Sequence, residues 1–261
     1  MNILLEIPMR RDLRKSVSLI YIPKRYNGFV PLYKITIYNN NNQTPPIAKS
    51  SQSQKHGFIF ENEIRQKVFK LPSQSNNRDI HDISHNENAL NSNENISIKS
   101  TGTNTICCGD VLRFYDYDFN KINTIICIKY IQNKDQKNVE RIYEVNYNRE
   151  CHKLLFGDLQ RHTIKSYVDG VKSIPSNVGG VDTKNIYNYI HIKNKINNEH
   201  SNTISINPKV DSKQSRVQCS IPKFETTLKD FITYKSTIDN PNRLRGVDIS
   251  LSISSCTRNR L

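Results

Sequence analysis

Between residues 96 and 147 the chain carries four closely spaced apolar runs, and this succession constrains the fold more than any other feature. The runs are Ile96–Lys99, Ile106–Tyr117, Thr124–Ile131 and Arg141–Tyr147. They are rich in β-branched and aromatic residues, which suit the half-buried surface of a sheet. We therefore predict a short strand at Ile96–Lys99, followed by a mostly antiparallel series of strands from Ile106 onward.

Segments with helical periodicity lie on both sides of these strands. Within residues 57–69, one helical face carries Phe60, Ile64, Val68 and Phe69, and Pro72 follows. Apolar residues between Cys151 and Val171 fit one helix, or two helices broken near Gly157. The sequence thus predicts an α+β fold with a mixed central β-sheet flanked by helices.

The remaining segments are predicted to surround this core. Residues 1–38 contain short apolar runs of a peripheral N-terminal segment, and residues 39–55 are an Asn/Gln/Ser/Pro-rich, flexible connection. After residue 171 the pattern predicts an amphipathic stretch at Tyr187–Ile196, a strand at Arg216–Ile221, a short helix at Leu228–Tyr234 and a strand at Val247–Ile253. We expect residues 1–261 to form one domain, with its core in 56–150 and further helices and strands in 151–261.

The charge of the chain favours polyanionic partners. Lys and Arg number 38 against 24 Asp and Glu, which leaves a formal charge of +14. This charge favours nucleic acid first and an anionic membrane surface second. The alternative is compositional, because Asn, Ile and Lys are all frequent, as in AT-rich coding sequences.

The sequence predicts a cytoplasmic, non-secreted protein. No run approaches the roughly 20 apolar residues of a membrane-spanning helix, and the basic Arg10-Arg11 pair follows the first apolar run instead of preceding it. The six cysteines form no Cys-x-x-Cys pair. They are predicted to be free, mostly buried thiols in a reducing compartment.

The middle of the chain carries residues suited to phosphodiester hydrolysis. That reaction needs a divalent ion, carboxylates to hold the ion, and often a Lys beside the attacking water. Asp82 precedes the strand Ile96–Lys99, on which Ser97 and Lys99 share one face. The predicted helix before them carries Glu61 and Glu63.

This order of residues resembles the PD-(D/E)XK nuclease superfamily, and type II restriction endonucleases within it. The resemblance covers roughly residues 57–130. It implies a restriction-endonuclease-like fold that binds Mg²⁺ and hydrolyses double-stranded DNA. Asp82 corresponds to the first acid, Lys99 to the Lys, and Glu61, which follows Phe60, to the helical Glu of the family.

Ser97 departs from the family pattern, which has Asp or Glu at that position. A Ser is a neutral ligand, so the metal would depend on Asp82 and Glu61, with Ser97 as the third ligand. Glu94 and Asp110 are alternative sources of the missing carboxylate, and Asp79 is an alternative to Asp82. Each residue also has an ordinary explanation, such as helix-end charge for Glu61, turn formation for Asp82 and a solvated strand edge for Lys99.

Two other chemistries are disfavoured by their surroundings. His81 and His85 lie four residues apart, but their Asn- and Ser-rich neighbourhood does not favour the helix that would align them on a metal. Cys107 and Cys108 lack a partner base that the sequence singles out, and a strand cysteine is more often buried than nucleophilic.

DNA contacts are predicted in two segments. The stretch 209–218 offers side chains for base recognition, namely Lys213, Gln214, Arg216 and Gln218. The loop after Lys99 offers small polar side chains that suit phosphate contacts, namely Ser100, Thr101, Thr103 and Asn104. For the loop, a simple turn is an equally good interpretation.

These patterns favour a Mg²⁺-dependent type II site-specific endonuclease that acts on duplex DNA as a homodimer. No nucleotide cofactor and no membrane are expected. The first alternative is a non-catalytic, basic DNA-binding protein with a degenerate nuclease core. The second is a basic structural or partner-binding protein whose charge is compositional.

Overall fold

The computed structural model describes residues 59–73, 80–173, 196–198, 200–210 and 215–254. All of them lie within residues 49–261, which form one compact unit. The predictions for residues 1–38, 39–55 and 187–195 fall outside the described residues. The expectation of a single domain over residues 1–261 stays a prediction.

Within the described part of the chain, the largest sheet is mixed and has five strands. Three of them, β1 (Glu94–Thr101), β3 (Ile122–Asn133) and β4 (Gln136–Asn146), lie side by side in that order. Two short strands, β7 (Ile232–Lys235) and β10 (Ser252–Ser254), both pair with β4. β1 runs parallel to β3 and the other pairings are antiparallel.

A second sheet of three antiparallel strands contains β2 (Thr105–Asp110), β5 (Ser205–Val210) and β6 (Ser215–Pro222). The strand predicted at 216–221 is therefore confirmed. Of the strands predicted to form a mostly antiparallel series from residue 106 onward, β3 and β4 are antiparallel neighbours as expected, but β2 pairs with β6 instead. Two parallel neighbouring strands need a long connection, and β2 and the helix at Val111–Tyr115 form the connection between β1 and β3.

Helices cover both faces of the mixed sheet. The first helix, α1, comprises residues 59–63 and a π-helical continuation, Ile64–Val68. The others are α2 (Val111–Tyr115), α3 (Arg149–Phe156), α4 (Arg161–Lys172) and the single turn α5 (Phe224–Thr227). The α+β prediction, with a mixed sheet flanked by helices, is confirmed.

Three local predictions are corrected by hydrogen bonds and strand pairing. The run 106–117 is a strand only as far as Asp110, whose side chain accepts a hydrogen bond from Arg113 N at 3.0 Å and so begins α2. The helix predicted over 228–234 begins earlier, as α5, and includes a short 3-10 helix at Lys229–Phe231, while Tyr234 belongs to β7. The last strand is interrupted, with β9 at Val247–Asp248 and β10 after it.

Gly157 separates α3 from α4, as the sequence allowed. Its φ is +57°, a conformation that costs other residues energy, and a Cβ there would approach Ser201 Oγ to 2.7 Å. The chain can therefore turn sharply between the two helices.

The two faces of β1 belong to different apolar cores. Ile96 and Ile98 pack with Phe60 and Ile64 of α1 in one core. The opposite face of the sheet contributes Ile125 and other residues to a larger core beneath α2, α3 and α4. Because side chains alternate along a strand, Ser97 and Lys99 point toward this larger core.

A buried ion network joins the C-terminal part of the chain to the mixed sheet. Arg245 lies between β8 (Arg243–Leu244) and β9, and donates to Glu94 at 2.6 and 2.9 Å and to Glu144 at 2.6 Å. Glu94 is 5% exposed and also accepts from Thr124 at 2.6 Å. Burial alone would raise the pKa of Glu94, but Arg245 and Thr124 outweigh this and lower it.

Replacing Arg245 by methionine is expected to destabilise the protein by about 3 kcal/mol at neutral pH, because Glu94 would stay buried without its cation. The loss of stability caused by the substitution should become smaller as pH falls through the lowered pKa of Glu94. Glu94 of the native chain is then protonated, and its ion pair with Arg245 is lost as well. Urea unfolding at pH 7 and pH 3.5 measures both effects. Arg243→Met is the control, because the Arg243–Asp248 pair is about half exposed and worth little. Equal losses in both variants would contradict the prediction.

Candidate active site

Asp82 lies beside β1 because the residue after it pairs with that strand. Ile83 and Ile96 form an antiparallel bridge with N–O distances of 2.8 and 3.0 Å. Asp82 Oδ2 then accepts hydrogen bonds from Ile98 N at 2.5 Å and from Lys99 Nζ at 3.0 Å. The structure thus brings together two of the residues predicted from the sequence, although they are 17 positions apart.

Lys99 is held as a cation. Its side chain is 22% exposed and that of Asp82 is 21% exposed. Burial alone would lower the pKa of Lys99, but the Asp82 carboxylate outweighs this effect and raises the pKa above its ordinary value. Lys99 therefore suits stabilisation of negative charge and not removal of a proton at neutral pH.

Arg65, on α1, fixes the backbone at Asp82. This side chain is 2% exposed and donates to the carbonyl oxygen of Asp82, to that of Pro72 at 3.3 Å, and to Glu87 at 3.3 Å. A buried guanidinium with three acceptors holds the preceding helix and the Asp82 segment in one arrangement. The sequence offered no reason to pair Arg65 with this segment.

Glu61 reaches the same site from α1. It is 9% exposed, and burial, followed by the negative charge of Asp82, raises its pKa to about 7. Lys99 and Arg65 act in the opposite direction with smaller effect. Asp82, Lys99 and Glu61, which were predicted to act together, therefore influence one another electrostatically in the fold.

Ser97 is enclosed by two aromatic side chains that the sequence did not associate with it. Its Oγ lies 2.7 Å from Tyr117 OH and 3.5 Å from His81 Nδ1, and Ser97 is 1% exposed. The His81 and Tyr117 rings meet edge to face at 4.4 Å. Burial raises the pKa of Tyr117 to about 12 and lowers that of His81 to about 4, so both are neutral at pH 7.

The alternative acids and histidines lie in other surroundings. Glu94 belongs to the Arg245 network and Asp110 caps α2, while Asp79 is outside the described residues. The two histidines have different partners: His85 Nδ1 lies 3.2 Å from Asn95 Oδ1, and His81 Nδ1 lies 3.5 Å from Ser97 Oγ. Among the described residues there is no group of three or more His, Cys, Asp or Glu side chains that could hold a metal. Two carboxylates remain, Asp82 and Glu61.

This donor pair fits Mg²⁺. Mg²⁺ is commonly held by one or two carboxylates, with water and substrate phosphate completing its shell. Burial is the main cause of the raised pKa of Glu61 and the negative charge of Asp82 adds to it, so a divalent cation bound near both carboxylates would favour the charged form of Glu61. Ser97 Oγ is engaged with Tyr117, and the metal-binding role of Ser97 stays a prediction.

The residues predicted to contact DNA divide between two places. Ser100, Thr101, Thr103 and Asn104 follow Lys99 directly, but Thr101 is 7% exposed and its Oγ1 donates to Thr105 O at 2.8 Å, so it closes the turn. Thr103 and Asn104 are exposed. Arg216 and Gln218 lie on β6 in the second sheet, and Lys213 and Gln214 are outside the described residues.

A cavity of about 330 Å³ lies at the opposite end of the mixed sheet. It is lined by Asn93 and by residues within 119–123 and 146–150. Asn93 precedes β1 by one residue, so roughly 20 Å of strand separates it from Lys99 at about 3.3 Å per residue. The cavity is therefore distinct from the Asp82–Lys99 site.

No protein-family model, curated protein or solved structure matches this chain. Within the described residues, no helix is long and apolar enough to cross a membrane.

Proposed function

We propose that this chain is a Mg²⁺-dependent, type II restriction-like endonuclease that hydrolyses phosphodiester bonds of double-stranded DNA. The observation that carries the proposal is the contact of Asp82 with Lys99 and the backbone of β1, with Glu61 beside it. An acid lies on a segment antiparallel to the lysine-bearing strand, and a helical Glu is electrostatically coupled to it, which also supports a restriction-endonuclease-like fold.

Asp82 and Glu61 would hold the metal, which would polarise the phosphate and acidify a bound water. Lys99 has three N–H groups, one of which is directed at Asp82. The others suit donation to a phosphate oxygen, where negative charge increases in the transition state. Arg65 keeps Asp82 in place through its main chain. Cutting both strands of a duplex further favours a homodimer, with one such site in each subunit.

The second candidate is a non-catalytic DNA-binding protein. It is favoured by one observation: the position expected for a second acid is a buried serine bonded to Tyr117. Such a protein would keep the positive charge of the chain and bind DNA in a salt-sensitive manner without cutting it.

One experiment separates these functions. Purified protein is incubated with several long duplex DNAs, with Mg²⁺ or with EDTA, and the products are separated by size. Discrete, Mg²⁺-dependent fragments are expected, and Lys99→Met protein purified in the same way controls for contaminating nucleases. Salt-sensitive retention of DNA without cleavage would favour the second candidate, and no retention of DNA would exclude both.

A further inference from the structure

The β3–β4 hairpin extends well beyond the end of β1. Lys99 lies opposite Cys127, and the last residue of β1, Thr101, lies opposite Lys129. β3 continues to Asn133 and β4 returns from Gln136. At about 3.4 Å per residue the six positions from Cys127 to Asn133 span roughly 20 Å. We call residues Ile131–Asn138 the hairpin tip.

One face of the hairpin tip continues the face that carries Lys99. Side chains of odd-numbered residues in β3 share a face. The one unpaired residue of the hairpin near this point, Glu140, lies on β4, so it does not interrupt the alternation along β3. Ile131 and Asn133 are therefore on the Lys99 side, opposite Asn138 and Gln136. Ile131 is 55% exposed, Asn133 and Gln136 are exposed, and Asn138 is half-buried. This face presents three amides and one aliphatic side chain.

The other face makes the hairpin tip rigid. Lys137 is 8% exposed, lies 4.2 Å above the Tyr130 ring and donates to its hydroxyl at 2.9 Å. β10 pairs with residues 136–138 of β4. Gln132 Nε2 donates to Lys134 O at 2.7 Å and to Gln136 O at 3.2 Å, which stabilises the turn. The amide face is therefore presented by a supported β3–β4 hairpin, with β10 as a third strand beside β4 at residues 136–138.

These properties fit the major groove of duplex DNA. The groove admits β-strands such as the β3–β4 ribbon at its turn, Asn and Gln bind adenine through N6 and N7, and aliphatic groups contact the thymine methyl. Lys134 at the turn is exposed and complements the phosphate charge, while Asp135 leaves the hairpin tip nearly neutral. Such a surface contributes base discrimination more than affinity.

We infer that the hairpin tip binds the major groove and discriminates adenine–thymine pairs near the phosphate that Lys99 contacts. This inference rests on the proposed function. A reach of roughly 20 Å corresponds to about six base pairs at 3.4 Å each, so the recognised bases lie within about six pairs of the cut. The hairpin tip supplements the predicted contacts of Arg216 and Gln218 on the second sheet.

The test uses a Lys99→Met background, in which DNA is bound without being cut, and selection of bound duplexes from a random-sequence pool. The intact hairpin tip should select a motif with adenine–thymine pairs at fixed positions. Asn133→Ala combined with Gln136→Ala should reduce discrimination at those positions about 10- to 100-fold. Total DNA retention should change by less than about twofold, because phosphate contacts dominate affinity.

The matched control is Asn93→Ala combined with Asn120→Ala, two exposed amides at the opposite end of the sheet. This variant should keep the motif. Thermal unfolding of all variants verifies that each is folded. A motif unchanged in the Asn133/Gln136 variant would overturn the inference and leave the nuclease proposal intact. DNA binding without any selected motif would overturn both the inference and the site specificity of the proposed nuclease, but not its Mg²⁺-dependent cleavage. If the native chain neither binds nor cuts DNA, the proposed function itself fails, and the inference with it.

Discussion

Replacing Lys99 by methionine is expected to lower the rate of DNA cleavage about 100- to 1000-fold, the usual cost of losing one group that stabilises transition-state charge. Methionine keeps the apolar length of the side chain but removes the ammonium. Asp82 keeps its bond from Ile98 N, and Arg65 still holds its carbonyl, so the site should keep its shape. Single-turnover cleavage at saturating Mg²⁺ isolates the chemical step from product release.

Lys129→Met is the matched control. Lys129 lies on the neighbouring strand, is 19% exposed, and is paired with Glu225 at 3.4 Å and with Glu140 at 3.7 Å. It therefore resembles Lys99 in burial and charge pairing but lies outside the candidate site. Cleavage by this variant should stay within about threefold of the native rate, since ion pairs near the surface contribute little. Equal rates for Lys99→Met and the native chain would contradict a catalytic role for Lys99.

The elements that were predicted correctly are those whose pattern is local. The spacing of Phe60, Ile64 and Val68 predicts a helical face, and these residues are indeed buried together. The break at Gly157 is likewise a property of one residue and its backbone conformation. Strand pairing is different, because nothing within β2 specifies β6 as its partner more than 100 residues later.

The candidate site shows the same division. Alternation along β1 places Ser97 and Lys99 on one side, and the sequence alone indicates this. The approach of Asp82 to Lys99 depends on the Ile83–Ile96 bridge and on Arg65, which are long-range contacts. Tyr117 was missed because it follows α2, and no spacing relates it to Ser97. A buried hydroxyl such as that of Ser97 needs a hydrogen-bond partner, which is the one general signal that could have prompted a search.

Electrostatics connects these residues into one unit. Burial, with a further contribution from the charge of Asp82, raises the pKa of Glu61 to about 7, and Asp82 raises the pKa of Lys99 above its ordinary value. Asp82 therefore favours the charged form of Lys99 and disfavours that of Glu61. In the proposed nuclease, the ammonium group would stabilise a phosphate and the two carboxylates would hold a divalent ion.

Replacing Ser97 by aspartate is expected to lower the Mg²⁺ concentration for half-maximal cleavage by about 10-fold, because affinity for hard cations rises with the number of charged oxygen ligands. Ser97 is adjacent to Ile98, whose N–H binds Asp82, and it lies on the Lys99 side of β1. A carboxylate there would be a third negative group beside Asp82 and Glu61. Without metal the variant should be less stable than the native chain, because a further charge is buried at a position that is 1% exposed.

Ser97→Asn is the control. Asparagine has nearly the same volume as aspartate and can still form a hydrogen bond with Tyr117, but it carries no charge. Thermal unfolding with and without Mg²⁺ measures metal binding independently of cleavage. The aspartate variant should gain more stability from Mg²⁺ than either the native chain or the asparagine variant, because ligand binding to the folded state stabilises it in proportion to affinity. Equal Mg²⁺ stabilisation of the two variants would mean that β1 does not face the metal at Ser97, and the correspondence of this strand with a metal-binding strand would then be wrong.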